Sequence, residues 1–301
     1  MKNDEAVSTV VAMMLILGII ATLIAIYSAT YLPELKQQSE IEHSREVANA
    51  FVRFGSDIDY VVSHKKTARF SEPFSLGGGD VILSPVRSSG LVTIGEERPL
   101  VNVTVTNKTV TNEIGEKTIT GNASLVNVSY VPSFTTWEPQ GYRWEWGVVL
   151  VTKDNVTVPQ SSRYNTRDEA LEKRGAEFLE GFIELDVGRS GDDLEITIAV
   201  ANLTRKEDEF FITGSGIVTL EVNATGFKPE RLENVTEIVF EDLTSSSGVP
   251  RMEKILEKRC GGIAGTTYIH DKGDLFHTLT FEEQLQVIVI LRTVNVEVSV
   301  C

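Results

Sequence analysis

The chain opens on an unbroken apolar stretch, with no charged side chain from residue 7 to residue 33. That exceeds the roughly 20 residues a helix needs to cross about 30 Å of hydrocarbon. It also exceeds the apolar centre of a cleavable secretory signal, about 7 to 15 residues behind a basic start. Here the start is mixed, with Lys2 opposed by Asp4 and Glu5. The pattern predicts a helix that stays with the mature protein, its membrane segment over 7–32. Ser28 and Ala29 resemble a late cleavage site, so removal of the segment there stands as the competing expectation.

Past this stretch the pattern becomes amphipathic. Pro33 removes a backbone donor and predicts a bend, yet residues 34–62 hold few helix breakers. Val47, Phe51, Phe54, Ile58 and Val61 step by four, three, four and three, which places them on one helical face. One long helix is therefore expected over 7–62, apolar all round at first and then striped, with the stripe packing on the domain that follows.

From about residue 76 the period shortens to that of strands. Runs rich in Val, Ile and Thr lie at 81–83, 91–94, 100–106, 123–131, 144–152, 194–200, 216–222, 235–240 and 286–300. Turn signals separate them at 77–80, 88–90, 188–192 and 245–248. The triple glycine at 77–79 reads as the turn between the helix and the first strand. Two helical patches interrupt the strands. One spans 166–178 and opens on a capping box of Thr166 and Glu169; the other spans 250–258 and is stopped by Gly261 and Gly262. The expected fold class is α+β: a long N-terminal hydrophobic helix, then a mainly β domain over 76–301, sandwich or jelly-roll-like. A division into two sub-domains near 160–190 is left open.

Composition narrows the function classes. Forty-three acidic against 28 basic residues give a net charge of −15. That argues against nucleic acid as a partner, because phosphate binding needs clustered Lys and Arg. The sequence holds no Walker loop, no GxSxG elbow and no HExxH motif, so no catalytic residue and no enzyme activity is assigned. His43, His64, His270 and His277 supply no zinc-ligand spacing, and no metal or other cofactor is expected. The acidic groups Asp192-Asp193 and Glu207-Asp208-Glu209 read as solvated loops rather than calcium ligands. Trp137, Tyr142, Trp144 and Trp146 read as core rather than a sugar platform, Trp144 and Trp146 sharing a strand face. The two cysteines, Cys260 and Cys301, could close one disulfide if the domain is exported.

Eight Asn residues match the N-glycosylation sequon: Asn102, Asn107, Asn122, Asn127, Asn155, Asn202, Asn223 and Asn234. Thirteen Asn and 50 Ser plus Thr in 301 positions would give about two by chance. Every match follows the apolar segment, which orients the chain with Met1 inside and the bulk outside.

The stretch Glu5-Ala-Val-Ser-Thr-Val-Val-Ala-Met-Met-Leu-Ile-Leu-Gly18 resembles the N-terminus of archaeal type IV pilin-like proteins. Stretches at 42–47, 54–59, 76–80, 87–90 and 142–150 also look like those of an archaeal surface group with this start. The resemblance implies a leader over 1–6 and a prepilin-type peptidase that cuts between Ala6 and Val7, leaving the whole apolar helix in place. It further implies a membrane-anchored, cell-surface protein that joins pilin-like subunits through that helix, with a role in adhesion or filament assembly. The fifth mature residue would be Val11, where bacterial pilins carry Glu. A domain of about 235 residues is large for a major pilin and points to a minor subunit, a pseudopilin, or an anchored surface module. In that last alternative a single-pass β domain binds glycans, ions or envelope proteins without polymerising.

Overall fold

The computed structural model describes residues 3–78, 81, 87–107, 117–191, 193–244, 252–261, 263–270 and 275–301. The strand expected at 81–83 and the turn at 245–248 lie wholly or mostly outside these residues. No side chain is described at Ala6 or Val7.

The first fifth of the chain is one continuous helix: α1 (Asn3–Ile26), a π-helical turn (Tyr27–Tyr31) and α2 (Leu32–His64). The π turn answers the question raised by Pro33. A proline cannot donate to the carbonyl four residues back, and its ring crowds that carbonyl. The helix widens one turn earlier, where the Leu32 N–H bonds to the Tyr27 carbonyl five residues back. The rod then runs on to Lys65, whose left-handed backbone ends it.

The rest is mostly strand: β1 (Ala68–Ser75), β2 (Ser89–Ile94), β3 (Arg98–Asn107), β4 (Lys117–Leu125), β5 (Val128–Ser133), β6 (Gly141–Glu145), β7 (Val148–Lys153) and β8 (Val156–Pro159). After α3 (Arg167–Phe182) come β9 (Ile183–Ser190), β10 (Asp193–Arg205), β11 (Phe211–Gly214), β12 (Ile217–Glu233) and β13 (Val235–Asp242). Then α4 (Met252–Cys260) precedes β14 (Thr266–His270), β15 (Phe276–Phe281) and β16 (Val287–Val300). The larger sheet has the order β1-β12-β16-β10-β4-β3-β13-β15-β14, with β9 also paired to β10; the smaller has the order β11-β2-β5-β6-β7-β8. The class is α+β, as the sequence pattern indicates.

Several expected elements change on inspection. The single run at 123–131 is two strands in different sheets, β4 and β5, because Val126 and Asn127 carry the chain from one sheet to the other. The run at 144–152 is a hairpin. Trp146 (φ 53°) and Gly147 (φ 71°) both adopt left-handed backbone between β6 and β7, the geometry of a type I′ turn. Trp146 is therefore a turn residue and does not share a strand face with Trp144. The β domain begins at Ala68, ahead of the expected 76, so the glycines at 77 and 78 follow β1 instead of preceding the first strand.

One apolar core joins both sheets, α2, α3 and α4. Val47, Phe51, Phe54, Ile58 and Val61 are all 0 % exposed within it. Each such side chain contributes about 1.5–3 kcal/mol, an upper estimate, so the stripe alone makes α2 inseparable from the domain. Phe54 meets Trp144 edge to face at 5.4 Å, and Trp144 meets Phe178 of α3 at 5.7 Å. Thr166 caps α3 by accepting the Glu169 N–H at 3.1 Å. Buried Asp242 receives the Met252 N–H at the start of α4 at 2.9 Å.

Candidate functional site: an exposed apolar helix and its polar collar

From Thr9 to Ile26 every side chain of α1 is exposed. Met13, Leu17 and Leu23 are 77 %, 68 % and 62 % exposed. A helix apolar on all faces is stable only when lipid or other helices surround it. This helix is long and apolar enough to cross a membrane. Tyr27 and Tyr31 stack at 6.0 Å at its upper end, where amphipathic rings suit a membrane–water boundary.

Just above these tyrosines the buried face of α2 turns polar. Lys36, Glu40, His43 and Ser44 continue the spacing of the apolar stripe toward the N-terminus, and all four are buried. Glu40 is the centre of the group. Its carboxylate accepts the backbone N–H groups of Thr135 at 2.8 Å, Thr136 at 3.0 Å and Trp137 at 2.6 Å. The hydroxyls of Ser88 (2.5 Å) and Thr135 (2.9 Å) complete the set. The loop after β5 thus wraps its N–H groups around a carboxylate borne by the helix. Burial works against this charge, but the hydrogen bonds from Ser88, Thr135 and Trp137 outweigh it and hold the pKa below the usual glutamate range. Lys36 reaches the Thr135 hydroxyl at 3.2 Å.

One turn further, His43 Nε2 lies 2.9 Å from the Tyr130 hydroxyl, which donates to the Leu76 carbonyl at 3.0 Å. With that proton committed, His43 donates from Nε2. Burial lowers the His43 pKa, against the charges of Glu46 and Glu40, and favours the neutral ring. Ser44 Oγ pairs with the Tyr142 hydroxyl at 3.0 Å, which also accepts from Gln140 Nε2 at 2.7 Å. The glycines close the collar. A Cβ on Gly78 would stand 2.5 Å from His43 Cβ, and one on Gly77 would stand 2.0 Å from the Ser88 carbonyl oxygen. Gly78 lets the backbone approach α2, and Gly77 lets it approach the backbone at Ser88.

The collar binds α2 to the domain; it presents no exposed nucleophile. Among the described residues no three His, Cys, Asp or Glu side chains gather as a metal site. Cys260 is buried at the end of α4, Cys301 is exposed beyond β16, and both stand as free thiols. The sequons divide by environment. Asn122, Asn155 and Asn234 are exposed, whereas the Asn107 amide is buried and donates to the Glu233 carbonyl at 2.5 Å. Asn102 donates to Glu241, and Asn202 to Asn295; Asn127 and Asn223 are half-buried.

Sequence reading found the apolar helix but missed the collar. Its signal was four polar residues at the helical spacing of the stripe. Comparison of the chain with protein-family models, with curated proteins and with solved structures gave no match.

Proposed function

We propose that this protein is an archaeal type IV pilin-like structural protein, a subunit or minor subunit of a cell-surface filament, anchored through its N-terminal helix. The observation that carries the reading is the division of labour along one unbroken helix: α1 exposes apolar side chains on every face, while α2 is built into the core of the β domain. A subunit of this kind needs such a helix twice. It rests first in the bilayer, then moves laterally into a bundle of identical helices, where apolar side chains pack on each other instead of lipid. The domain faces outward and carries glycans, and a prepilin-type peptidase removes residues 1–6. Lys36 lies nine residues above Tyr27, a rise of about 14 Å at 1.5 Å per residue, so the collar seats the domain close above the headgroups.

A second reading is favoured by the evenness of the exposure on α1, which suits lipid on all sides: a single-pass surface β domain that never polymerises. N-terminal sequencing of the protein isolated from its own membranes separates the two. A mature start at Val7 is the expected result; a start at Met1 supports the plain anchor, and a start near Thr30 removes both in favour of a secreted domain.

A further inference from the structure

At the other end of α2 the chain builds a cleft of about 500 Å³, within the volume range of small-ligand sites. One wall is the segment 63–66. The floor is a cross-strand row in the larger sheet, in which Glu184 faces Ala199, Ala199 faces Arg292, and Arg292 faces Pro229. Asp186 and Thr197 face each other two residues along the same strands, so strand alternation puts all six side chains on one face.

The charges in this cleft have different commitments. Lys65 is buried and bound to Glu184 Oε2 at 2.7 Å. Lys66 and Arg292 are exposed and line the same cleft, and their side chains make no ion pair or hydrogen bond among the described residues. In a chain of net charge −15, two uncommitted cations over one cavity mark a place for an anionic group. A guanidinium fork suits a carboxylate or sulfate. The carboxylates of Glu184 and Asp186 repel a second anion but accept hydroxyl protons, and Thr197 can donate or accept. Ala199 and Pro229 leave a small apolar floor on which a ring face can lie.

We propose that this cleft binds an acidic sugar unit, its acid group held by Lys66 and Arg292 and its ring hydroxyls by Asp186, Glu184 and Thr197. The 33 residues of α2 put this site about 50 Å of helix away from the π turn, at the end of the domain remote from the apolar helix. The inference is independent of polymerisation.

The test is ligand-detected NMR on the full chain in detergent micelles, titrated separately with glucuronate, glucose and inorganic sulfate. Glucuronate should saturate, with glucose at least tenfold weaker. The double variant Lys66→Gln/Arg292→Gln, which alters only exposed side chains, should weaken glucuronate at least tenfold with an unchanged melting temperature. Asp186→Asn should weaken glucuronate while leaving sulfate no weaker, because it removes a charge that repels a bare anion. Sulfate binding as tightly as glucuronate, with no effect of Asp186→Asn, would make this a plain anion site and overturn the sugar assignment. Absence of saturable glucuronate binding, or binding unchanged in the double variant, would overturn the site itself.

Discussion

The carboxylate of Glu40, on the helix, accepts the backbone N–H of Trp137 at 2.6 Å, joining residues 97 positions apart in the chain. Two further N–H groups and two hydroxyls share that carboxylate. Removing it leaves the buried Ser88 hydroxyl without its partner, at about 1–3 kcal/mol, and turns the N–H groups of Thr135, Thr136 and Trp137, on exposed or half-buried residues, back to water. Glu40→Ala should therefore lower unfolding free energy by about 3 kcal/mol, and Glu40→Gln by roughly half of that because its amide brings donors toward donors. Urea unfolding of the full chain in micelles measures both; equal stability of Glu40→Ala and wild type would remove the collar as a structural lock.

The collar should contribute two limbs of stability lost toward acid, opposed near pH 6 by Asp57, whose carboxyl pKa burial raises to about 6. His43 titrates in the fold below its ordinary 6.5 because it is buried. The unfolded chain then binds the extra proton, so this contribution is complete above about pH 6.5 and is lost as pH falls through the lowered value. Glu40 behaves the same way at lower pH, its contribution complete above about 4.5 and lost below. The groups facing His43 are Tyr130, Phe134, Glu40 and Glu46. His43→Gln should flatten the limb below pH 6.5 and Glu40→Gln the more acidic one, as read from unfolding midpoints across pH 8 to 3. Curves that superimpose on wild type would show that these groups do not carry the dependence.

Gly78→Ala should destabilise by about 1–3 kcal/mol, since its Cβ would stand 2.5 Å from His43 Cβ. Gly188→Ala in β9 is the matched control, with nothing within 4 Å of the added atom. Thermal melts of the two variants should separate clearly, and a Gly78→Ala protein that melts with its control would mean that the segment moves aside freely.

Glycans, if the domain faces outward as proposed, should map to Asn122, Asn155 and Asn234. Asn155 (φ 63°) stands on the tight turn between the paired strands β7 and β8, and Asn234 (φ 55°) on the link from β12 to β13, which are not neighbours in the sheet. Asn107 should stay bare because its amide already bonds the Glu233 carbonyl. Glycopeptide mass spectrometry of native material checks this, with occupancy at Asn107 as the contrary result. Asn107→Gln should also destabilise, whereas Asn122→Gln, at an exposed position within β4, should not.

The helix was legible because its two halves write their environments in different patterns: no charge from 7 to 33, then apolar residues every three or four. The long central strands were legible where Val and Ile alternate, as at 194–200 and 286–300. Short edge strands were not. β8 and β11 span four residues each, and β14 carries Thr, Tyr and His where a central strand would carry Val. The hairpin at Trp146 hid because its turn is an aromatic residue in a left-handed conformation, sustained by burial rather than by turn chemistry. The collar hid for another reason. A buried Glu looks like any surface Glu until the loop that satisfies it, 95 to 97 residues away, is in place.

The uninterrupted rod also has a mechanical meaning. A pull on α1 travels along backbone hydrogen bonds into α2, whose bonds to the domain are ranged lengthwise from Lys36 to Lys65. Extraction along the axis would load Glu40, the His43–Tyr130 pair and the stripe from Val47 to Val61 together, in shear. A sideways force would open them one at a time, as a peel. The domain is fixed to α2 in the manner that best withstands tension along the helix, the direction in which a domain tethered through α1 would be pulled.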